Sequence, residues 1–315
     1  MHPALSVIVF TTVSGAGYGL LAWLGLWAVA GGLPADRGLA AASLTLSLGA
    51  ITAGLLSSTL HLGHPERAWR AFSQWRSSWL SREGVASVAT FAPALLFALG
   101  WIVFGSIGGI WAFFGALSAL GAAVTVVCTA LIYQSLKPIQ RWSNGWVLPN
   151  YLALAAMTGV LWLIAVLSVF NRVDGRVSIV ALVAIPCAAL LKLGYWRFID
   201  GTQSCSDAGT ATGLGKLGRV HLFEAPHTSD NYLMKEMGFR VARRHAAKLR
   251  WIALIAAFAL PLLLTVMLLL LPARLAPSCA IPAALIATLG VLVERWLFFA
   301  EAKHTVTLYY GAERA

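Results

Sequence analysis

Long apolar runs separated by short polar stretches follow one another along the whole sequence. Most runs reach about 20 residues, the length at which a helix crosses the hydrocarbon core of a bilayer. Apolar and polar residues do not alternate along them, as they would in a membrane-spanning β-barrel. The pattern therefore predicts an all-α polytopic membrane protein, an eight-transmembrane-helix bundle. The predicted spans are about 5–30, 39–62, 85–104, 107–136, 147–170, 179–196, 251–271 and 280–299.

One polar segment, residues 197–250, is much longer than the other connections. Its first half is rich in Gly, Ser and Thr, which is typical of a loop. In its second half Leu233, Met237 and Val241 recur at four-residue spacing among basic residues, which predicts an amphipathic basic helix. That helix fits a membrane surface and a protein partner equally well. The segment is too short and too polar to form its own core, so we expect a single integral membrane domain over residues 1–315.

Composition agrees with a membrane protein. The chain is 59% hydrophobic and 11% charged, whereas a soluble domain carries about 25% charged residues. The net charge of +11 does not require nucleic acid as a partner, because cytoplasmic loops of membrane proteins are rich in Lys and Arg. The four cysteines are scattered and form no CxxC pair, so neither a thiolate metal site nor a disulfide framework is predicted.

The distribution of basic residues predicts the orientation. With eight spans, the loops that share a side with both termini, together with the C-terminal tail, hold 17 of the 23 Lys and Arg residues. The loops on the other side hold four, namely Arg37, Arg172, Arg176 and Arg274. The positive-inside rule then places both termini and the loop after the second span in the cytoplasm of a bacterium, with the protein in the inner membrane. Arginines that serve a protein partner would produce the same bias.

The histidines argue against bound haem. A di-haem cytochrome b requires histidine pairs within its spans, and of the seven histidines here only His61 lies near one, at its end. His61 and His64 without a third ligand make a weak metal site. We therefore expect no haem or metal in this chain.

The stretch from Ser57 to Glu83 carries the most reactive groups. Ionisable groups at membrane depth are costly unless they are buried in protein or line a cavity. The imidazole of His61 can donate to a quinone carbonyl or accept a quinol proton, although a histidine that reaches water at the interface is an equally good interpretation. Glu83 could exchange protons with the aqueous side or form an ion pair with an arginine. Arg67 and Arg70 fit either a second quinone carbonyl or a lipid phosphate.

Few other polar groups lie within the spans. Tyr18 fits a cavity wall or helix packing. Lys192 and Arg295 lie near span ends, where we expect long side chains to extend to water. Glu294 is expected on a different helix face from Arg295, because neighbours are about 100° apart, and it suggests a proton route or an ion pair. A transporter, the alternative of another class, would need a continuous polar path across the spans, whereas polar groups are concentrated at one rim.

Two motifs resemble those of a known family. The rim stretch reads His61-Leu62-Gly63-x-Pro65-x-Arg67-Ala68-Trp69, followed by Ser78-x-Leu80-Ser81-x-Glu83. The last span adds a weaker motif, Arg295-x-x-Phe298-Phe299 and then His304. Together with the eight spans, these motifs resemble the membrane anchor subunit of the dimethyl sulfoxide reductase family over nearly the whole chain.

The resemblance implies an anchor without haem or metal that binds ubiquinone or menaquinone. It also implies two partners, a four-cluster iron–sulfur subunit and a molybdopterin catalytic subunit. The histidine of the His-Leu-Gly motif is associated with quinol binding in that family, which implies this role for His61. The quinone-binding residues that we predict are His61, Arg67, Arg70, Glu83 and Tyr18. The partner-docking residues that we predict are Arg76, Arg82, Arg240, Arg243 and Arg244.

The orientation distinguishes two members of this family. Its reductases present the histidine loop to the periplasm, whereas the charge distribution here predicts a cytoplasmic loop. An anchor of this kind also serves a cytoplasm-facing complex that oxidises sulfite and reduces quinone. We therefore expect the anchor of a sulfite dehydrogenase. The alternative is the anchor of a dimethyl sulfoxide reductase-type complex that oxidises menaquinol during anaerobic respiration.

Overall fold

The computed structural model describes residues 4–60, 62–202, 206–224, 229, 241–312 and 314, with side chains described everywhere except at 241–244. Over these ranges the chain is helical and has no β-sheet, only one isolated bridge between Asp207 and Arg314. Among the described residues, eight helices are long and apolar enough to cross a membrane, which confirms the predicted architecture. They are α1 Leu5–Val29, α2 Arg37–Thr59, α3 Trp79–Val103, α4 Ile110–Gln134, α5 Val147–Val169, α6 Gly175–Gly201, α7 His245–Leu270 and α8 Ala273–Ala300.

Several helices extend beyond the predicted spans. α3 begins six residues before the predicted start, where the Ser78 hydroxyl accepts a hydrogen bond from the backbone N–H of Ser81. α6 begins after Asp174, whose side chain accepts from the N–H of Arg176. Both are N-caps, which supply a partner to backbone donors that a helix leaves unpaired at its start. The sequence estimate was too short because it followed the apolar residues, whereas the caps and first turns are polar.

Shorter helices connect the spans. A 3₁₀ helix, Pro65–Gln74, lies between α2 and α3. The segment before α7 contains Ala208–Thr212 and Leu214–Leu217. The predicted basic helix lies mostly outside the described residues, and its helical backbone is described from Val241 onward. The chain ends in a further 3₁₀ helix, Thr305–Tyr310.

The spans alternate in direction, so the starts of odd-numbered helices and the ends of even-numbered helices share one end of the bundle. We term this the near end and the opposite one the far end. α1 and α4 pack against each other, α2 covers α1, and α3 covers α4. α5 contacts both α1 and α4 and joins them to α6 and α8, and α7 packs on α8. The last helix residues, near Ala300, therefore lie at the near end with Leu5.

Glycines bring the central helices into close contact. Gly19 of α1 faces Ala155 and Gly159 of α5, and a Cβ at Gly19 would overlap the carbonyl group of Ala155. Gly25 of α1 faces Gly115 of α4 in the same way. Apolar association is weak in lipid, so membrane helices rely on close backbone packing through small residues. These contacts hold α4 and α5 against α1.

Three spans each contain one π-helical turn: Phe10–Ser14 in α1, Leu99–Val103 in α3 and Ile255–Ala259 in α7. The turn in α7 lies just before Pro261. Proline has no N–H, and its ring clashes with the carbonyl four residues earlier, so the wider turn relieves that clash. The turn in α1 has no proline after it, and its hydroxyl side chains face the interior of the bundle. Such turns occur frequently at functional sites.

Candidate functional site: a cavity at the near end

A cavity of about 680 Å³ lies at the near end and is bounded by α1, α2, α3, α4 and the 3₁₀ helix that follows α2. Its volume is typical of small-molecule sites. Most of its wall is apolar or aromatic. The wall includes Val7, Phe10, Leu55, Phe72, Leu80, Ile132, Tyr133, Trp142 and Phe299. We term it the outer cavity.

The rim of the outer cavity is formed by the motif-bearing stretch after α2. Leu62, Gly63, His64 and Arg67 line it. His61 lies outside the described residues, so its predicted contact with a quinone stays a prediction. Four of the motif residues that follow it, Leu62, Gly63, Arg67 and Ala68, line the cavity.

Glu83 is the buried carboxyl group of the outer cavity. It lies in the second turn of α3 and is 4% exposed. The hydroxyl of Thr129 in α4 donates a hydrogen bond to its Oε1 atom. Among the described residues, no Lys, Arg or His side chain forms an ion pair with it. An ionised carboxylate is costly in such surroundings without a cation, so Glu83 is well suited to accept and release a proton.

The predicted quinone-binding residues do not all meet here. Arg67 lines the outer cavity with a side chain that is 56% exposed, and its Nε atom lies 3.7 Å from Oε1 of Glu66. Arg70 is outside the lining, and its guanidinium group lies 5.7 Å from the ring centre of Trp69. Tyr18 is buried and lines a separate, smaller cavity deeper in the bundle. The structure thus brings Arg67 and Glu83 together and places Arg70 and Tyr18 elsewhere.

The predicted docking residues also have different surroundings. Arg82 donates to two backbone carbonyl groups, from Nε to Trp75 at 3.0 Å and from Nη2 to Arg76 at 2.7 Å. Its guanidinium group also lies 4.1 Å from the ring centre of Trp79. It therefore holds the turn between the 3₁₀ helix and α3. Arg76 is exposed and is available to a partner.

The other docking predictions fall in the segment before α7. Arg240 lies outside the described residues. Arg243 and Arg244 lie in the helical backbone that leads into α7, and their side chains are outside the described part of the structure. Their docking role stays a prediction.

A charged cluster inside the bundle confirms the ion pair that was one of the two interpretations of Glu294, although the partners of Glu294 were not predicted. Lys192 of α6 forms an ion pair with Oε1 of Glu294 in α8, and Arg295 donates to the same oxygen from Nη2 at 2.8 Å. All three are almost completely buried. The expectation that Lys192 and Arg295 extend to water was wrong, because Glu294 holds both inside. The long Arg295 side chain turns back to its neighbour, which also overturns the expected separation of these two residues.

Aromatic rings complete the surroundings of the cluster. The Lys192 ammonium group lies 4.2 Å from the ring centre of Tyr195, and the Arg295 guanidinium group lies 4.2 Å from that of Tyr151. Ring faces attract cations, so they partly compensate for the lost hydration. Two positive charges and one negative charge leave the cluster with one excess positive charge.

A second ionic network lies at the near end and involves Arg141, Asp200, Arg250 and Glu301. Glu301, just after α8, accepts from Arg250 at 3.0 Å and lies 3.5 Å from Nη1 of Arg141. Arg250 also donates to Asp200 at the end of α6, at 3.0 Å from Nη2 to Oδ1. The network joins α6, α7, α8 and the α4–α5 connection. It adds ionic contacts at the ends of these helices to the Lys192–Glu294 pair that already joins α6 and α8.

The same connection supplies an aromatic wall of the outer cavity. The indole N–H of Trp142 donates to the carbonyl of Phe298 at 2.9 Å, and its ring stacks on that of Phe298 at 5.6 Å between centroids. Tyr133 and Phe299 pack edge-on against Trp142. The Phe298-Phe299 pair of the last-span motif thus positions a wall of the outer cavity.

The family model of the DMSO reductase anchor subunit (DmsC) matches residues 1–311. The chain belongs to the DmsC family. A sulfite dehydrogenase subunit from Allochromatium vinosum is 34% identical to this DmsC-family chain, and the alignment covers 98% of the chain and 99% of that relative. The family resemblance of the two motifs is therefore confirmed over the full length. This DmsC-family protein is a multi-pass membrane anchor subunit.

Proposed function

We propose that this protein is the quinone-binding anchor subunit of a three-subunit molybdopterin and iron–sulfur oxidoreductase, and that it passes electrons between the iron–sulfur subunit and the quinone pool. The observation that carries the proposal is the outer cavity, with Arg67 and Glu83 in an otherwise mainly apolar wall. Membership of the DmsC family supports the anchor role.

The lining of the outer cavity suits a quinone. Phe10, Leu55 and Phe299 offer apolar contacts to an isoprenoid chain, while Tyr133 and Trp142 offer flat faces to a ring. Polar groups are few in such sites and determine orientation. A bound quinone supplies an acceptor of two electrons and two protons, and it would be held between these walls and the polar rim.

The residues of the chain have separate tasks in that reaction. The Arg67 guanidinium group is a donor for a carbonyl oxygen and favours the negative charge that develops there. His61 is proposed as a second donor. Glu83 gives a proton to the reduced oxygen, because its carboxyl group lies in the same wall and has no cationic partner among the described residues. The apolar wall limits access of water to the reacting oxygens.

Electrons would come from a docked partner at the near end. We propose that a four-cluster iron–sulfur subunit binds there, since the outer cavity lies at that end. Arg76 of the rim is a docking residue in this arrangement, and Arg240, Arg243 and Arg244 are proposed as others. Basic groups would steer an acidic partner to the site. A molybdopterin subunit on the far side of that partner completes the complex.

The substrate proposed for the catalytic partner is sulfite. Its support is the full-length relative from Allochromatium vinosum, which is named as part of a sulfite dehydrogenase. The near end would then face the cytoplasm of a bacterial inner membrane, in agreement with the basic loops at this end. A second candidate is the anchor of a menaquinol-oxidising DMSO reductase, because the family model carries that name.

The test is purification of the complex from native membranes and assay of sulfite oxidation with two acceptors. Reduction of a short-chain ubiquinone or menaquinone requires the anchor, whereas reduction of ferricyanide requires only the soluble subunits. We expect the His61→Arg complex to assemble, retain ferricyanide activity and lose quinone activity. Quinone activity equal to that of the wild type would remove His61 from the site. Isolation of the chain without molybdenum and iron–sulfur subunits would contradict the proposed function.

A further inference from the structure

The walls of the outer cavity differ in their exposure. On the side of α1, α4 and α8 the lining is buried, as at Phe10, Tyr133 and Phe299. On the side of α2 and α3 apolar lining residues are exposed: Leu62, just after α2, is 39% exposed, and Leu80 of α3 is 56% exposed. Besides its polar rim, the outer cavity therefore has an apolar mouth between α2 and α3.

Hydrogen bonds join α2 and α3 at the far end. The indole N–H of Trp101, in the π-helical turn of α3, donates to the carbonyl of Pro34 just before α2 at 3.0 Å. Nη2 of Arg37, the first residue of α2, donates to the carbonyl of Val103 at 3.1 Å. Among the described residues, no such bond joins the near-end halves of the two helices, and the outer cavity lies between them there.

The neighbouring seams are held together by direct contacts. Between α1 and α2, the Ser57 hydroxyl donates to the Ser6 carbonyl at 3.1 Å. Between α3 and α4, the Thr129 hydroxyl donates to Glu83. The aromatic wall described above closes the side of α8. A long apolar chain that leaves the outer cavity toward the lipid therefore passes between α2 and α3.

We term the near-end space between these two helices the α2–α3 gap, lined by Leu55, Ser58 and Thr59 of α2 and by Leu80 and Gly84 of α3. The hydroxyl groups of Ser58 and Thr59 donate to carbonyl groups of their own helix, so their donors need no partner in the gap. The adjoining turns expose apolar side chains, which suit contact with lipid tails. They are Leu56, Leu60, Val85 and Val88.

We propose that the α2–α3 gap is the entrance from the membrane to the outer cavity, and that the isoprenoid tail of the bound quinone leaves the cavity through it. The inference rests on the proposed quinone reduction. Its physical basis is the hydrophobic effect, which favours the tail among apolar side chains and lipid over the polar near end. The ring is then oriented by Arg67 and Glu83, and the tail by the α2–α3 gap.

Gly84 offers a way to narrow the entrance. A Cβ at this position would lie 3.3 Å from Cε1 of Phe72, which also lines the outer cavity. Gly84→Leu therefore adds a branched side chain to the α2–α3 gap. In proteoliposomes we expect reduction of a ubiquinone with a full isoprenoid tail to fall about tenfold. Reduction of duroquinone, which has no tail, should fall much less, and ferricyanide activity should be unchanged.

The matched control is Gly49→Leu on α2. Gly49 is exposed, no atom lies within 4 Å of its Cβ position, and it is outside the lining of the outer cavity. This variant should keep the wild-type ratio of the two quinone activities. Ser58→Phe narrows the α2–α3 gap from the opposite side and should lower the ratio as Gly84→Leu does. Equal losses with both quinones, or no loss with either, in both gap variants would overturn the proposal.

A measurement on the wild-type complex keeps the test independent of folding. A quinone with a photoreactive diazirine at the end of its tail should label residues 55–59 of α2 and residues 80–88 of α3 in native membranes, and an excess of ubiquinone should suppress the labelling. Labelling confined to other helices would overturn the proposal. A wild-type complex that oxidises sulfite but reduces no quinone would instead refute the proposed function, so the two failures are distinguishable.

Discussion

The side-chain hydroxyl of Thr129 in α4 donates a hydrogen bond to the carboxylate of Glu83 in α3. Glu83 lines the outer cavity, and Thr129 lines the smaller cavity deeper in the bundle. The pair thus forms a polar contact in the wall between the two cavities. Because a hydroxyl can donate and accept at the same time, this contact can transmit a proton as well as orient the carboxyl group.

The first prediction concerns Glu83 itself. Glu83→Gln keeps an oxygen that accepts from Thr129 but cannot deliver a proton, so we expect quinone reduction to fall about 100-fold or more. Sulfite oxidation with ferricyanide should remain, as should assembly of the complex. The control is Glu66→Gln at the exposed rim, where the carboxylate lies 3.0 Å from His64. A Glu83→Gln complex with normal quinone turnover would exclude Glu83 as a proton donor.

The second prediction concerns the packing of α1 on α5. Gly19→Leu introduces a side chain where even a Cβ would overlap Ala155, so we expect a marked loss of folded protein in membranes and a lower unfolding temperature in detergent. Overpacking costs about 1–3 kcal/mol or more. Gly49→Leu on α2 is the control, because no atom lies within 4 Å of its Cβ position. Equal thermal stability of the two variants would contradict the close α1–α5 contact.

The third prediction separates Arg76 from Arg82. Arg76→Glu should weaken retention of the iron–sulfur subunit and make its release occur at lower salt, because a docking charge is reversed. Arg82→Gln removes donors to the Trp75 and Arg76 carbonyls and should instead lower thermal stability by about 1 kcal/mol. Salt-dependent dissociation and thermal unfolding measure the two effects. If Arg82→Gln weakened retention of the iron–sulfur subunit and Arg76→Glu lowered only the thermal stability, Arg82 would be the docking residue.

The fourth prediction concerns pH. The backbone N–H of Arg176 donates to Asp174 and lowers the pKa of this carboxyl group, which lies just before α6. A pKa depressed in the folded state stabilises the protein above the unfolded value of about 3.9, and that stability is lost as pH falls through the folded value. Asp174→Ala should cost about 1 kcal/mol at neutral pH, and the difference should shrink below about pH 4.

Thermal unfolding of Asp174→Ala and Asp174→Asn in detergent, at neutral and acidic pH, checks this effect. The Asn side chain keeps an acceptor for the helix start without titrating. Its stability relative to Asp174→Ala should therefore vary little with pH. A difference between the Ala variant and the wild type that stays constant down to about pH 3 would contradict the role of the ionised cap.

Some features were accessible from the sequence because they are local. The eight spans follow from runs of apolar residues, and Arg67 and Glu83 follow from a motif within one short stretch. The partners of Glu294 in the charged cluster were missed because Lys192 and Glu294 lie about a hundred residues apart, and only the packing of the helices brings them together. Tyr18 was assigned to the quinone site from its residue type, since hydropathy cannot distinguish one internal cavity from another.

Helical geometry alone also misplaced Arg295. Adjacent residues do point in different directions at their Cβ atoms, but the arginine side chain is long enough to return to Glu294. Each of these three charged side chains costs free energy when it is buried alone in a membrane span. Because two cations and one carboxylate occur in two predicted spans, an ion pair between the spans is a better prediction than three side chains that reach water separately. That reasoning would have identified the cluster, although not the cavity beside it.

The C-terminal 3₁₀ helix is tied to the segment before α7: the Tyr309 hydroxyl donates to the Ala211 carbonyl at 2.8 Å, and the backbones of Arg314 and Asp207 form an isolated antiparallel β-bridge. An affinity tag or a fluorescent protein fused after the last residue would strain these contacts at the near end, where we propose that the partner docks. A tag inserted between α5 and α6, at the exposed Arg172, lies at the far end. It leaves the proposed docking surface unchanged and is the better choice for isolating an intact assembly.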